Sequence, residues 1–150
     1  MGGTYSNLRL HVVFSTKNRE PWIQPQLQER LYPFIGGIVR EQSGKLMEIG
    51  GMPDHLHLLI GWRTDESISN LLRNIKSRSS AWVHETFPDL SYFKWQEGYG
   101  VFSVSHSQAP VVSKYIQNQA EHHRGKTFKE EFISLLKAHD IEYDERYIFE

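Results

Sequence analysis

The chain has 150 residues, 39% hydrophobic, 23% charged and 13% aromatic, which excludes an intrinsically disordered chain and suits one domain with its own core. It contains no Cys, which excludes a disulfide scaffold, a Cys-ligated zinc site and a thiol nucleophile, and leads us to expect a reducing, cytoplasmic location. The net charge of −1 is not the global signature of a nucleic-acid binder, but it is unevenly spread: residues 1–126 hold 14 Lys/Arg against 11 Asp/Glu, and residues 127–150 hold 3 against 7.

No apolar run approaches the ~20 residues that span a bilayer. Met1-Gly2-Gly3-Thr4-Tyr5 lacks the basic-then-apolar pattern of a signal peptide, so a soluble chain without a membrane partner is expected. Tyr5 to Thr16 is rich in β-formers and predicts a strand. Pro25 suits the first turn of a helix, and Leu27, Leu31, Phe34, Ile35 and Ile38 follow at helical spacing. Pro33 inside that pattern predicts a kink or a split, and Gly44 a stop. Two apolar runs, Leu46 to Ile49 and Leu56 to Trp62, flank the turn formers Gly50-Gly51-Met52-Pro53-Asp54 and predict a hairpin. Ser67 can cap a second helix whose apolar stripe is Ile68, Leu71, Leu72, Ile75, Trp82 and Val83. Tyr99 to Ser105 predicts a fourth strand. Pro110 opens a third helix running to about His123, and Phe128, Phe132, Leu135 and Leu136 mark a fourth. The tail, with Tyr143, Tyr147, Ile148 and Phe149, is apolar enough to dock on the body.

The order β-α-β-β-α-β followed by two helices predicts an α+β, ferredoxin-like (RRM-like) fold, with a four-stranded antiparallel sheet and additional C-terminal helices. Helices on one sheet face would leave the other open to a ligand or a second copy. We take residues 1–150 as a single domain, with a core at about 5–132 and an acidic segment at 127–150.

Four sets of residues carry candidate chemistry. His55-Leu56-His57 on a strand would point both imidazoles to one side, where two His and a third ligand can hold a divalent metal; the alternative is two unrelated histidines. Tyr115 and Gln119 stand at i and i+4 on the third helix, with His122 at i+7 on the same face and His123 beside it. Tyr115 can pack at the core edge with its hydroxyl in water, or act as a nucleophile if a metal balances the charge that develops. Arg73, Lys76 and Arg78, with Lys17 and Arg19, suit DNA-backbone phosphates or form a solvated surface. Trp95, Tyr99 and Phe102 can stack on unpaired bases or belong to the core.

Taken together, Gly50-Gly51-Met52-Pro53-Asp54-His55-Leu56-His57-Leu58-Leu59 and Tyr115-Ile116-Gln117-Asn118-Gln119-Ala120-Glu121-His122-His123 resemble the single-tyrosine transposases of the HUH nuclease superfamily, the insertion-sequence-200-like enzymes and their REP-associated relatives. Val12 to Lys17 and Trp95 to Gly100 match as well, and the resemblance runs from about Tyr5 to Phe132. It implies an enzyme that cuts and rejoins single-stranded DNA, recognises hairpins at element ends and works as a homodimer. It implies Tyr115 as the nucleophile that forms a 5′-phosphotyrosine, and His55, His57 and Gln119 as ligands of Mg²⁺ or Mn²⁺, with His122 and His123 as auxiliary candidates. A non-catalytic nucleic-acid-binding module and a metal-dependent hydrolase using water are the competing readings.

Overall fold

The computed structural model describes residues 3–149; Met1 and Gly2, read above as part of a segment without a signal peptide, lie outside the described residues, as does Glu150. The elements are β1 (Leu8–Ser15), α1 (Pro25–Glu41), β2 (Lys45–Met52), β3 (His55–Trp62), α2 (Ile68–Thr86), β4 (Gly100–Val104), α3 (Ala109–Gln117), α4 (Gln119–His122) and α5 (Phe128–Ala138). The strands form one antiparallel sheet in the order β2-β3-β1-β4. This is the expected α+β, ferredoxin-like arrangement.

Strand alternation divides the side chains between two layers. Leu10, Val12 and Phe14 of β1 and Leu56, Leu58, Ile60 and Trp62 of β3 turn to the first face, where α1 and α2 cover them with Leu27, Leu31, Ile35, Leu71, Leu72 and Ile75. Each such aliphatic side chain contributes about 1.5–3 kcal/mol on full burial, so this layer dominates the stability. Ser67 caps α2 as expected, its Oγ accepting from the Asn70 N–H at 3.1 Å. Pro33 does not split α1. It lies on the solvent side, as does Glu29, whose carbonyl the proline leaves unbonded, so water can satisfy that group.

The second face is not open, which corrects the expectation from sequence. Ala109 and Ile116 of α3 pack on Leu59 and Val104, and Phe128, Phe132 and Leu136 of α5 pack on Val13 and Phe102. The C-terminal helices carry apolar stripes of their own, and folding back onto this face removes both surfaces from water. Only the end of the tail docks there: Ile148 and Phe149 join this cluster, the Phe149 ring 5.8 Å from that of Phe128 and 5.9 Å from that of Phe132, while Tyr143 and Tyr147 are exposed.

Two local devices place the C-terminal helices. The helix expected to run from Pro110 to about His123 breaks at Asn118 (φ −99°, ψ 28°), which separates α3 from α4. Asn is weak in helix interiors because its side chain competes for backbone hydrogen bonds. At Gly50, a Cβ would stand 2.5 Å from the Ile116 carbonyl oxygen, so α3 rides directly on the bare backbone of β2. Gly50→Ala should therefore cost about 1–3 kcal/mol through overpacking. Thermal unfolding checks this as a fall in Tm of about 2–10 °C. An unchanged Tm would show that α3 is free to lift.

Candidate active site

The pleat of β3 sends His55 and His57 to the second sheet face, and Leu56 into the core. Both imidazoles are fully buried. The turn that precedes them is pinned from two sides: Ile23 N–H donates to the Pro53 carbonyl at 2.9 Å, and Thr16 N–H to the Asp54 carbonyl at 3.0 Å. Asp54 Oδ1 then takes His55 Nδ1 at 2.7 Å, and His57 Nδ1 shares a hydrogen bond with His11 Nε2 at 2.8 Å. With each Nδ1 held, each Nε2 is aimed at the same point above the sheet, which is how outer partners orient metal-binding histidines.

The group at that point is the carboxylate of Glu131, brought in by α5. His57 Nε2 is 3.0 Å and His55 Nε2 3.3 Å from its Oε1. Gln119 places Oε1 2.9 Å from His55 Nε2 and donates from Nε2 to Glu131 Oε2 at 3.0 Å. The Tyr115 hydroxyl also donates to Oε2. His123 Nε2 is 3.0 Å from both Glu131 Oε1 and Gln119 Oε1. His122, one-third exposed, stands further off, its Nε2 3.7 Å from Oε2. Tyr115, His55, His57, Gln119 and His123 therefore meet around one buried acid.

The donor set fits a divalent cation. Among the described residues, His55, His57 and Glu131 offer ligand atoms that all lie within 4.8 Å of one another. Ligands about 2.1 Å from one ion stand about 3.0–3.4 Å apart. The pairs at 2.9, 3.0 and 3.3 Å already approach that spacing. Two imidazole nitrogens with carboxylate and amide oxygens favour Mn²⁺ over the oxygen-preferring Mg²⁺.

Burial and pairing set the charges. Burial opposes charge on Glu131, but hydrogen bonds from His55 and His57 outweigh it and hold the carboxyl far below its usual range. Burial also opposes charge on His55, but Asp54, Glu131 and Gln119 overcome this and push it up to about 9. Burial depresses His57, and it lowers His11 to about 3 with help from His57. The Tyr115 phenol is pushed up by burial and by the adjoining Glu131 carboxylate.

A pH dependence follows for the metal-free protein. The raised His55 stabilises the fold fully below its unfolded pKa of about 6.5, and this contribution is lost as pH rises towards 9. The depressed His11 and His57 act oppositely, costing stability as pH falls below about 6.5. Tm measured in chelator should therefore peak near pH 6.5 and fall by pH 8; a Tm still rising between pH 6.5 and 8 would contradict the His55–Glu131 pairing.

The basic residues divide. Lys17, Arg73 and Lys76 line one groove of about 580 Å³ beside α2, together with Lys94, Gln96 and Tyr99. Lys76 is committed within it, donating to the carbonyls of Gln96, Glu97 and Gly98 at 2.9, 3.1 and 2.6 Å, and burial draws it down to about 8. Arg19 instead covers the Phe149 ring at 4.1 Å, and Arg78 pairs with Glu41 at 2.7 Å. Of the aromatics, Trp95 and Phe102 are buried, and Tyr99 is exposed on the groove.

Sequence reasoning missed Glu131, His11 and Lys94. Glu131 left a trace: it falls three residues after Phe128 and four before Leu135, an acid on the helix face that packs inward.

This geometry lies largely inside a segment with known relatives. The sequence profile of the IS200-like transposase family matches residues 4–119, which include His55, His57, Tyr115 and Gln119 and stop short of Glu131. The chain is 22% identical to the ISDra2 transposase TnpA of Deinococcus radiodurans over 122 aligned positions, 78% of this chain and 87% of that protein. It is 25% identical to the transposase for insertion sequence element IS200 of Salmonella typhimurium over 120 positions, 77% of this chain and 78% of the other. Among solved structures, a candidate transposase from Deinococcus radiodurans R1 superposes with a TM-score of 0.67 at 25% identity, covering 79% of this chain and 95% of that one. A REP-associated tyrosine transposase bound to a REP hairpin shares the fold, with a TM-score of 0.62 at 16% identity over 83% of this chain and 73% of its own. With its family profile spanning both the histidine pair and the tyrosine helix, the chain belongs to the IS200-like transposase family.

Proposed function

We propose that this transposase cleaves and rejoins single-stranded DNA through a 5′-phosphotyrosine on Tyr115, at a divalent-metal site formed by His55, His57 and Gln119. One observation carries the reading: the Tyr115 hydroxyl and both histidine Nε2 atoms converge on the same carboxylate. Glu131 Oε1 is a further metal donor, and Glu131 Oε2 holds the phenol.

Tyr115 Oη attacks phosphorus. The new Tyr–O–P bond replaces the P–O3′ bond, the 3′ oxygen leaves and takes a proton from water, and the phenol proton, held at Glu131 Oε2, is released to water as the bond forms. The phosphodiester energy stays in the phosphotyrosine, so a 3′-hydroxyl can rejoin without ATP. A bound Mg²⁺ or Mn²⁺ would neutralise and orient the scissile phosphate. His11 and Asp54 keep the two Nε2 lone pairs directed inward.

The substrate is hairpin-bearing single-stranded DNA, as suggested by the REP hairpin held by a protein of the same fold. Lys17, Arg73 and Lys94 in the groove beside α2 would bind backbone phosphates, and Tyr99 would stack on an unpaired base. Three such contacts make binding only mildly salt-dependent, with a slope of log K on log salt of about −2. A homodimer belongs to the same reading, and sedimentation at micromolar concentration tests it.

The direct test is incubation with a labelled hairpin oligonucleotide and Mn²⁺, resolved on a denaturing gel. A protein–DNA adduct that disappears in chelator is expected. Cleavage with no adduct at any time would identify water as the nucleophile and overturn the reading.

A further inference from the structure

A cavity of about 510 Å³ lies over the second sheet face, between α3 and α5. His11 and Phe102 line it from the sheet, Val111 and Tyr115 from α3, and His139 from the end of α5, with exposed Gln108 before α3. The His139 ring stacks on Phe102 with centroids 4.4 Å apart, and its plane is fixed by Nδ1 donating to the Leu135 carbonyl at 2.9 Å. His11 stands edge-on to Phe102 at 6.0 Å and to Tyr115 at 6.1 Å. None of the eleven lining residues is Lys, Arg, Asp or Glu.

We propose that this cavity holds the nucleobase flanking the scissile phosphate and so reads one position of the cut sequence; this rests on the phosphotyrosine reading above. Tyr115 is at once the attacking group and a wall of the cavity. A phosphate within reach of its oxygen therefore brings a base, one sugar away, to the cavity's edge. The lining suits a base and not a phosphate: it is rich in ring faces and holds no Lys or Arg, whereas the groove beside α2 carries the cations. Aromatic walls hold unpaired bases by stacking, and single-stranded DNA gives up a base at little cost. The volume lies within the usual range for small-ligand pockets, about 300–1,000 Å³. The Gln108 amide, with both donor and acceptor, can meet a base edge at the opening.

The test uses a pool of hairpin oligonucleotides with a randomised single-stranded segment, incubated with the full-length protein and Mn²⁺. Adducts and released fragments are sequenced across the cut for wild type, Gln108→Ala and Val111→Trp. Gln108 and Val111 are exposed, so neither variant threatens the fold. We expect wild type to enrich one base beside the cut about tenfold or more, the discrimination scale of side-chain hydrogen bonds to a base edge. Both variants should flatten that enrichment while still forming the adduct. The same enrichment in both variants, or none beside the cut in wild type, overturns the cavity's role. A change of oligomeric state in Val111→Trp, measured by sedimentation without DNA, overturns it in favour of an interface between copies. If wild type forms no adduct with any pool member, the phosphotyrosine reading itself falls and the cavity proposal falls with it; an adduct with unaltered base preference sinks the cavity alone.

Discussion

Tyr115→Phe should abolish the covalent DNA adduct, a loss of at least about 10³-fold, while leaving metal binding in place. Phenylalanine keeps the ring that packs beside His57 (5.6 Å) and His11 (6.1 Å) and removes only the oxygen that would bond to phosphorus. Without a nucleophile, the positioning of the phosphate gains nothing for covalent chemistry. Glu131 loses one donor but keeps His57, Gln119 and His123, so the fold should change by about 1–2 kcal/mol at most. The result is read by comparing adduct yield with the Mn²⁺-induced rise in Tm. An adduct surviving in Tyr115→Phe would falsify the nucleophile assignment, and a lost Mn²⁺ response would mean that the substitution had damaged the site.

His57→Ala should remove metal binding and stability together. In wild type, an ion at a hundred times its Kd stabilises by about 2.7 kcal/mol, or roughly 5–10 °C for a chain of this size. His57→Ala should erase that shift, because the Nε2 facing Glu131 is gone. It also leaves a cavity, deprives His11 Nε2 of its partner and weakens the compensation of a buried carboxylate. The metal-free protein should lose about 2–4 kcal/mol. Melts with and without Mn²⁺ separate the two effects. A full Mn²⁺ shift in His57→Ala would place the ion elsewhere and leave the histidine pair without its proposed role.

Glu131 shows how the acidic C-terminal segment enters the site. By charge alone, that segment sits poorly with a DNA-binding protein. In the fold, one of its acids is turned inward to face four histidines and a tyrosine hydroxyl, where it is satisfied by hydrogen bonds and not displayed to a phosphate backbone. Its neighbour Glu130 caps α5 through the Thr127 backbone N–H at 3.2 Å and is exposed. Residue type and segment charge are identical for these two glutamates; position on the helix separates structural capping from participation in the site.

Local patterns along the chain were sufficient for the element order, the sheet and the side of β3 on which His55 and His57 stand, because strand alternation and helical periodicity are short-range rules that each segment obeys by itself. The hairpin turn, the Ser67 cap and the apolar stripes of α1 and α2 were legible for the same reason. Tertiary structure decided that the second sheet face is covered, that the helix after Pro110 breaks at Asn118, that Arg19 and Arg78 turn away from the groove of Lys17, and that Glu131 and His11 complete the cluster. These depend on which surfaces find each other across long sequence separations: His57 and Glu131 are 74 residues apart, and His11 and His57 are 46 apart. No window of local sequence contains both partners, so only the packing of α3 and α5 onto the sheet could bring them together.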